Sequence, residues 1–216
     1  MKKNFYPLLI VILVIINNVI VNANEFLVTD SAELQSAINN VQGGDTISLQ
    51  SGNYDNLTIS GKNNSDFVLI REYPGATSVF SSISFNNCSY WKLFGVDIKP
   101  RYNSGADGTN AVRLDGSFLT IINCNINYSD DIAGWTEADW LARTGNGISM
   151  DGTNLNVLNN TITVVDHGIG SDATNSVVSG NLIVNFRGDG IRGLGDDMIY
   201  EYNTIKNSYD VDDNHD

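Results

Sequence analysis

Apolar and polar residues alternate over short stretches that recur through the second half of the chain. Alternation over only five or six residues is typical of β-strands with one buried face. Four such segments align with one another, at residues 110–115, 146–151, 167–172 and 189–194. The predicted buried column contains Val112, Ile148, Ile169 and Ile191, and the predicted solvent-facing column contains Arg113, Ser149, Gly170 and Arg192.

The alternation is part of a repeat. Gly-Ile pairs begin at Gly147, Gly168 and Gly190, with gaps of 21 and 22 residues. A second strand in each unit is predicted at residues 119–122, 155–158, 176–179 and 198–201, and a third is centred on Ile126, Ile162, Ile183 and Ile205. Three short strands per repeat predict one coil of a parallel β-helix. The fold class is therefore all-β, a right-handed parallel β-helix.

An asparagine marks the same turn in successive units, at Asn160, Asn181 and Asn203. Coils stacked about 4.8 Å apart would let these side chains hydrogen-bond along the stack as a ladder. Cys124 occupies this position one coil earlier. Helical patterns are missing between the strands, which argues against a βαβ sheet, and the strict period argues against a sandwich.

A helix is predicted near the N-terminus. Asp30 and Glu33 resemble a capping box, and Leu34, Ile38 and Val41 fall on one helical face. Gly43-Gly44 would end this helix, and residues 46–49 would open the first coil. We expect an N-terminal capping α-helix that covers the open edge of that coil.

Two stretches exceed the repeat. The spacing between the coils of Val112 and Ile148 is 36 residues, and the excess lies within 128–144. A shorter excess occupies 99–109. The strand pattern resumes unchanged afterwards, so both stretches are predicted to be loops outside the core. Trp135 and Trp140 in the longer loop either bind substrate by stacking on sugar rings or pack the loop onto the coil.

The first residues have the features of an export signal. Met1-Lys2-Lys3 is basic, an apolar run follows, and Ala23 ends a small-residue cleavage pattern. We predict a signal peptide at 1–23, a β-helix domain at 24–216, and a secreted protein, extracellular or periplasmic. After cleavage the chain contains ten basic and 25 acidic residues, which gives a formal charge of −15. This charge opposes nucleic acid or anionic membranes as partners. Cys88 and Cys124 are expected as buried thiols, and the protein as a monomer.

The opening motifs resemble a known family. The run from Gly43 to Leu49, then Gly52-Asn53-Tyr54 and Pro74-Gly75-Ala76, is similar to the start of secreted β-helix polysaccharide lyases of the pectate-lyase-like superfamily. Alginate lyases and chondroitinase B are the closest type. The resemblance covers residues 26–98 in motif order and the remainder in architecture. It implies β-elimination on a uronate polymer, with calcium as a cofactor, but the family's catalytic residues have no counterpart at matching positions of this sequence.

The last residues, 210–216, fall where another Gly-Ile pair would be due. A solenoid that stopped there would leave an open edge. We therefore expect a domain truncated at its C-terminal end, the N-terminal part of a longer lyase, with a disordered acidic tail as the alternative.

Candidate catalytic residues are Arg113 and Arg192, which share the outward column, and His167. Arginine suits a sugar carboxylate, and histidine transfers protons near neutral pH. The alternatives are that each arginine pairs with a neighbouring aspartate and that the histidine bonds a turn carbonyl. Asn146 and Asp189, in the column of His167, are candidate substrate-binding residues, together with Trp135 and Trp140. Possible calcium ligands are Asp189, Asp212 and Asp213; the aspartates after the strands, such as Asp115 and Asp151, are expected to bond turn amides.

Two functions remain. The first is a polysaccharide lyase that acts on an alginate- or pectin-like uronate polymer. The second is a carbohydrate-binding or adhesive β-helix without catalysis. Similar coils serve both, so the architecture alone does not separate them.

Overall fold

The computed structural model describes residues 23–102, 104–209 and 211, and these form two parallel sheets. The twelve-stranded sheet contains β1 (Glu25–Val28), β2 (Thr46–Leu49), β4 (Asn56–Ser60), β5 (Asn63–Glu72), β7 (Ser82–Phe94), β9 (Asn110–Ile122), β11 (Asn146–Thr153), β12 (Asn156–Leu158), β14 (Ile169–Ser171), β15 (Val177–Ser179), β17 (Ile191–Gly193) and β18 (Ile199–Glu201). The seven-stranded sheet contains β3 (Gly52–Asn53), β6 (Ser78–Phe80), β8 (Asp97–Ile98), β10 (Asn125–Asn127), β13 (Thr161–Val165), β16 (Leu182–Phe186) and β19 (Thr204–Ser208).

The predicted register is confirmed. Val112 pairs with Ile148, Ile148 with Ile169, and Ile169 with Ile191, so the apolar column is continuous. The outward column follows the same register, in the order Arg113, Ser149, Gly170 and Arg192. The third strands stack through Ile126, Ile162, Ile183 and Ile205. The chain is a parallel β-helix with its apolar side chains inside the coil.

The structure explains the glycine of each Gly-Ile pair. A Cβ atom on Gly147 would collide with the carbonyl of Gly168 and the methyl group of Ile162, and a Cβ on Gly168 would collide equivalently with the next coil. Only glycine leaves room for coils to approach at strand spacing at this corner.

The coils differ from the expected three separate strands in one respect. β9 runs through both the first and the second predicted strand of its coil without a break, and β7, its neighbour in the sheet, is equally long. Gly116 makes this possible, because it has φ +146° and a Cβ there would overlap the backbone of Cys88. The chain bends within one continuous strand, so the first two predicted strands of a coil belong to the same sheet.

The predicted helix exists, but its place relative to the first coil differs from the prediction. α1 spans Ser31–Asn40, and the Asp30 side chain accepts hydrogen bonds from the backbone of Ala32 and Glu33. However, β1 precedes it and pairs with β2, so the expectation that 46–49 open the first coil was wrong. α1 connects two strands of the sheet rather than standing ahead of the first coil, and the structure does not support the expected N-terminal capping helix.

The asparagine ladder is confirmed. The Oδ1 atom of Asn181 accepts from the backbone N–H of Asn160 at 2.9 Å, and Asn203 does the same for Asn181 at 3.0 Å. Asn160 bonds the N–H of Cys124 in the coil before. Cys88 and Cys124 are buried free thiols, as expected.

The longer loop leaves the stack as predicted, but it contains a helix, α2 (Glu137–Arg143). Thr136 and Asp139 form a capping box at its start. The expectation that none of the loop belongs to the core was wrong, because Trp140 is 4% exposed and packs with the core.

Candidate functional site

A groove of about 300 Å³ lies on the outer face of the twelve-stranded sheet, across β11, β14 and β17. We call it the sheet cleft. Three of the predicted site residues meet there, namely Asn146, His167 and Arg192, and Asp172 joins them. The parallel register brings them together, since residues one repeat apart occupy equivalent positions on neighbouring coils.

The imidazole of His167 is held in one orientation. Its Nδ1 atom accepts a hydrogen bond from the backbone N–H of Asp189 at 2.8 Å. A neutral His167 therefore carries its proton on Nε2. Nε2 lies 3.8 Å from Oδ1 of Asp166, and Nδ1 lies 3.4 Å from Oδ2 of Asp189. The side chain is 30% exposed, so a ligand in the cleft can reach it.

A buried ionic cluster beside His167 was missed from the sequence. Nη2 of Arg187 lies 2.6 Å from a carboxylate oxygen of Asp107 and 2.9 Å from one of Asp166, and Nε donates to the Thr144 hydroxyl at 3.2 Å. The Arg187 side chain is only 4% exposed. Asp166 and Arg187 occupy equivalent positions of successive coils, because Val165 pairs with Phe186. The sequence feature that could have predicted this cluster is the pair of opposite charges one repeat apart, Asp166 and Arg187.

The two arginines of the outward column have different surroundings. Nη2 of Arg113 lies 3.3 Å from Oδ2 of Asp115, which is the aspartate pairing considered as its alternative role, and Arg113 is not part of the cleft. Arg192 is exposed, lines the cleft and makes no ion pair with any other described residue. The charge available to an anion in the cleft is therefore that of Arg192.

Asn146 brings an unused acceptor to the cleft wall. Its Nδ2 donates to Oδ1 of Asn110 at 3.1 Å, while its own Oδ1 is buried and has no hydrogen-bond partner within the described part of the chain. An unpaired buried acceptor is costly, so a water held inside the wall of the cleft is the natural partner for this oxygen.

The two tryptophans do not line the sheet cleft. Trp140 packs edge-on against Trp135 at 5.2 Å between ring centroids, and its ring lies 4.6 Å from that of Tyr209. Being buried, it offers no face to a sugar, and its predicted role as a substrate-binding residue is corrected to packing of the loop. Trp135 is half-buried and lines a second depression beside Arg101 and Arg143.

Of the predicted calcium ligands, only Asp189 can be placed. Its carboxylate faces His167. Asp212 and Asp213 lie outside the described residues, as do residues 1–22 of the predicted signal peptide at 1–23. Within residues 23–102, 104–209 and 211, no three acidic, histidine or cysteine side chains are grouped so that they could hold a metal ion. No helix in this part of the chain is long and apolar enough to cross a membrane.

Comparison with known proteins supports the architecture. No protein-family model matches the chain, and no curated protein sequence matches it. Among solved structures it is similar to an alginate lyase from Paenibacillus sp. str. FPU-7, with a TM-score of 0.55 and 16% sequence identity over 83% of this chain and 75% of that one. At this identity the likeness shows the fold alone. The chain therefore shares a parallel β-helix fold with that alginate lyase.

Two further structures are more distant. The PL6 family alginate lyase AlyGC has a TM-score of 0.32 and 11% identity over 78% of this chain and 40% of its own. A mutant of that enzyme has a TM-score of 0.33 and 14% identity over 87% of this chain and 39% of its own.

Proposed function

We propose that this chain is a right-handed β-helix, secreted after removal of residues 1–23, that binds an acidic polysaccharide in the sheet cleft and cleaves it by β-elimination. The observation that carries the proposal is the meeting of His167 and Arg192 in one groove. The fold shared with an alginate lyase supports the substrate class, a uronate polymer such as alginate or pectin.

The reaction needs a group that neutralises the sugar carboxylate. Arg192 suits this role because its guanidinium is unpaired among the described residues and can bind a carboxylate through two parallel hydrogen bonds. Neutralising the carboxylate lowers the barrier to loss of the proton on the adjacent carbon, because the developing negative charge spreads onto that group.

Elimination also needs a proton for the departing sugar oxygen. His167 holds its only proton on Nε2, the nitrogen that the Asp189 N–H leaves free, and can donate a hydrogen bond from it to the departing oxygen as negative charge develops there. Asp172 supplies a carboxylate in the same cleft, which takes the proton from the ring carbon and then gives it to the departing oxygen. The carbon–oxygen bond then breaks as the new carbon–carbon double bond forms. Asn146 lines the same cleft and would lie against the bound sugar.

Calcium enters no step of this scheme. Of its proposed ligands, the described residues contain only Asp189, and the carboxylate of Asp189 lies against His167. A calcium requirement is tested simply by measuring product formation with and without a chelator.

Product formation is the decisive experiment. Cleavage by elimination creates an unsaturated sugar that absorbs ultraviolet light, so alginate, pectin and chondroitin should each be supplied and absorbance followed. We expect His167→Gln and Arg192→Gln to lower turnover by about 100-fold or more. Arg113→Gln is the matched control, because this arginine shares the column but lies outside the cleft, and its turnover should stay near wild type. Equal activity in all three variants would contradict the assignment.

The second candidate is carbohydrate binding without catalysis. One observation favours it: Asp172 is the only carboxylate among the described residues that line the cleft, and no lysine or tyrosine lines it. A carboxylate is a weak base for a carbon-bound proton. Binding of a polymer without any unsaturated product would support this function over the lyase.

A further inference from the structure

A second set of depressions follows the edge of the seven-stranded sheet. β3, β6, β8 and β10 stack in that order, so Asn53, Val79, Asp97 and Asn125 are register partners. Two positions later in each coil come Asp55, Ser81, Lys99 and Asn127. Backbone hydrogen bonds from Ser81 to Asp55 and from Lys99 to Phe80 keep these coils adjacent.

Two hollows lie along this line. One of about 210 Å³ adjoins Asp55 and Ser81, and one of about 340 Å³ adjoins Tyr102 and Trp135. Lys99 and Arg101 line both. We name the two hollows together the axial groove. It crosses four coils, or roughly 14 Å at strand spacing, parallel to the axis of the β-helix.

The axial groove concentrates positive charge in a strongly acidic chain. Lys99, Arg101 and Arg143 line it, in a protein of formal charge −13. Arg143 is paired with Asp139 at 2.9 Å, and Lys99 has only a loose contact of 3.8 Å with Asp130. Arg101 is exposed and forms no ion pair with any other described residue. An anion therefore finds an unpaired guanidinium at Arg101 and, beside it, the loosely paired ammonium group of Lys99.

Aromatic rings flank these cations. Tyr102 is half-buried, with its ring stacked on Tyr128 at 6.1 Å, and Trp135 is half-buried, with the Arg143 guanidinium 5.5 Å from its ring centre. Each ring is held in place by the side chain packed against it, which lowers the entropy lost when a ligand packs on the ring. Fixed aromatic surface beside the guanidinium of Arg101 and the ammonium group of Lys99 suits a ring that carries a carboxylate.

We propose that the axial groove is a second glycan-binding site, which holds a run of an acidic polysaccharide with a carboxylate at Arg101 and Lys99. An extended polymer matches a groove that runs along the coil axis. One charge per sugar suits a site with one unpaired and one loosely paired cation, whereas the dense charge of a nucleic acid would meet the overall negative field. The site shares no lining residue with the sheet cleft. It takes its ligand class from the proposed function, but its role is to retain the polymer and not to cleave it.

Binding measurements on paired variants test this site. Short oligomers of mannuronate, guluronate and galacturonate are titrated into the full chain by calorimetry, with a neutral cellulose oligomer for comparison. The double variant Lys99→Gln/Arg101→Gln removes the two groove cations. The control Lys62→Gln/Lys206→Gln changes the net charge equally but leaves the groove intact. Circular dichroism confirms that both variants remain folded.

We expect the wild-type chain to bind at least one acidic oligomer and not the neutral one. The groove variant should lose about tenfold or more in affinity, since each charge-assisted hydrogen bond is worth that much, and the control pair should lose less than about threefold. Added salt should weaken wild-type binding more than binding by the groove variant. Equal losses in the two double variants, or no binding of any acidic oligomer, would overturn the proposal.

The outcome separates this site from the proposed activity. If no polymer yields an unsaturated product but the groove variant still loses affinity, the lyase function fails and the axial groove stands. If product forms and the groove variant keeps both its affinity and its KM, the groove fails and the lyase function stands.

Discussion

Replacing Asn181 with alanine should strongly destabilise the β-helix, because this side chain joins three coils. Its Nδ2 donates to the carbonyl of Val157 at 2.9 Å and to Oδ1 of Asn203 at 3.0 Å. Its Oδ1 accepts from both the backbone and the side chain of Asn160, at 2.9 and 3.0 Å. Asn160 and Asn181 are each 1% exposed, so water cannot readily replace the lost partners.

The magnitude follows from the number of buried groups left unpaired. Each net hydrogen bond contributes about 1 kcal/mol, and an orphaned buried donor or acceptor costs about 1–3 kcal/mol. Some relaxation of neighbouring side chains lowers the total. We expect Asn181→Ala to reduce the free energy of unfolding by about 3–5 kcal/mol.

Urea denaturation, followed by both circular dichroism and tryptophan fluorescence, measures this loss and shows whether unfolding stays cooperative. Asn56→Ala is the matched control: it is exposed, and its side chain bonds only the Ser82 hydroxyl among the described residues, so its effect should stay below about 1 kcal/mol. A loss for Asn181→Ala no larger than that of the control would refute the reasoning that the ladder stabilises the stack.

Four further substitutions and one labelling experiment test other parts of the structure. Arg187→Met should lower the free energy of unfolding by about 3–5 kcal/mol in the same urea assay, because it leaves a buried carboxylate without its cation; no loss would contradict the buried cluster. Trp140→Ala should cost about 3–5 kcal/mol and the more exposed Trp135→Ala much less, and a reversed order would contradict the packing. Burial raises the pKa of the Cys124 thiol to about 12, so at about pH 8 iodoacetamide should label it only after denaturation, and rapid native labelling would count against its burial. Burial also raises the pKa of Tyr128, so its contribution to stability is complete below the usual tyrosine pKa of 10.0 and is lost as pH rises through the raised value; Tyr128→Phe should therefore lose less stability than wild type between about pH 9 and 11, and parallel curves would contradict this.

The repeat could be read from the sequence because a β-helix imposes the same demand on every coil. The Gly-Ile pair, as at Gly168 and Ile169, recurs because the corner of the coil has no room for a side chain and the next position faces the core. The register, the ladder and the loop positions all follow from that period. The first coil was harder to predict from the sequence, because β1 (Glu25–Val28) lies before α1 and has no repeat marker of its own.

The site was only partly readable. Asn146 and His167 share one column of the repeat, and Arg192 belongs to the column three positions later, so the period alone placed them near one another. Residues in the two loops lie outside the repeat, so the period does not predict their positions. The burial of Trp140 and the position of Arg101 depend on how the loops fold back, which long-range contacts decide.

The buried guanidinium of Arg187 has a consequence for how the two loops can change. It contacts Asp107 in the shorter loop and Thr144 at the end of the longer one, so both loops share a single anchor. Substitutions in one loop should then show epistasis with substitutions in the other, even though β9 and β10 separate the loops along the chain. Over evolutionary time the two loops would be expected to diversify together, as one unit of selection.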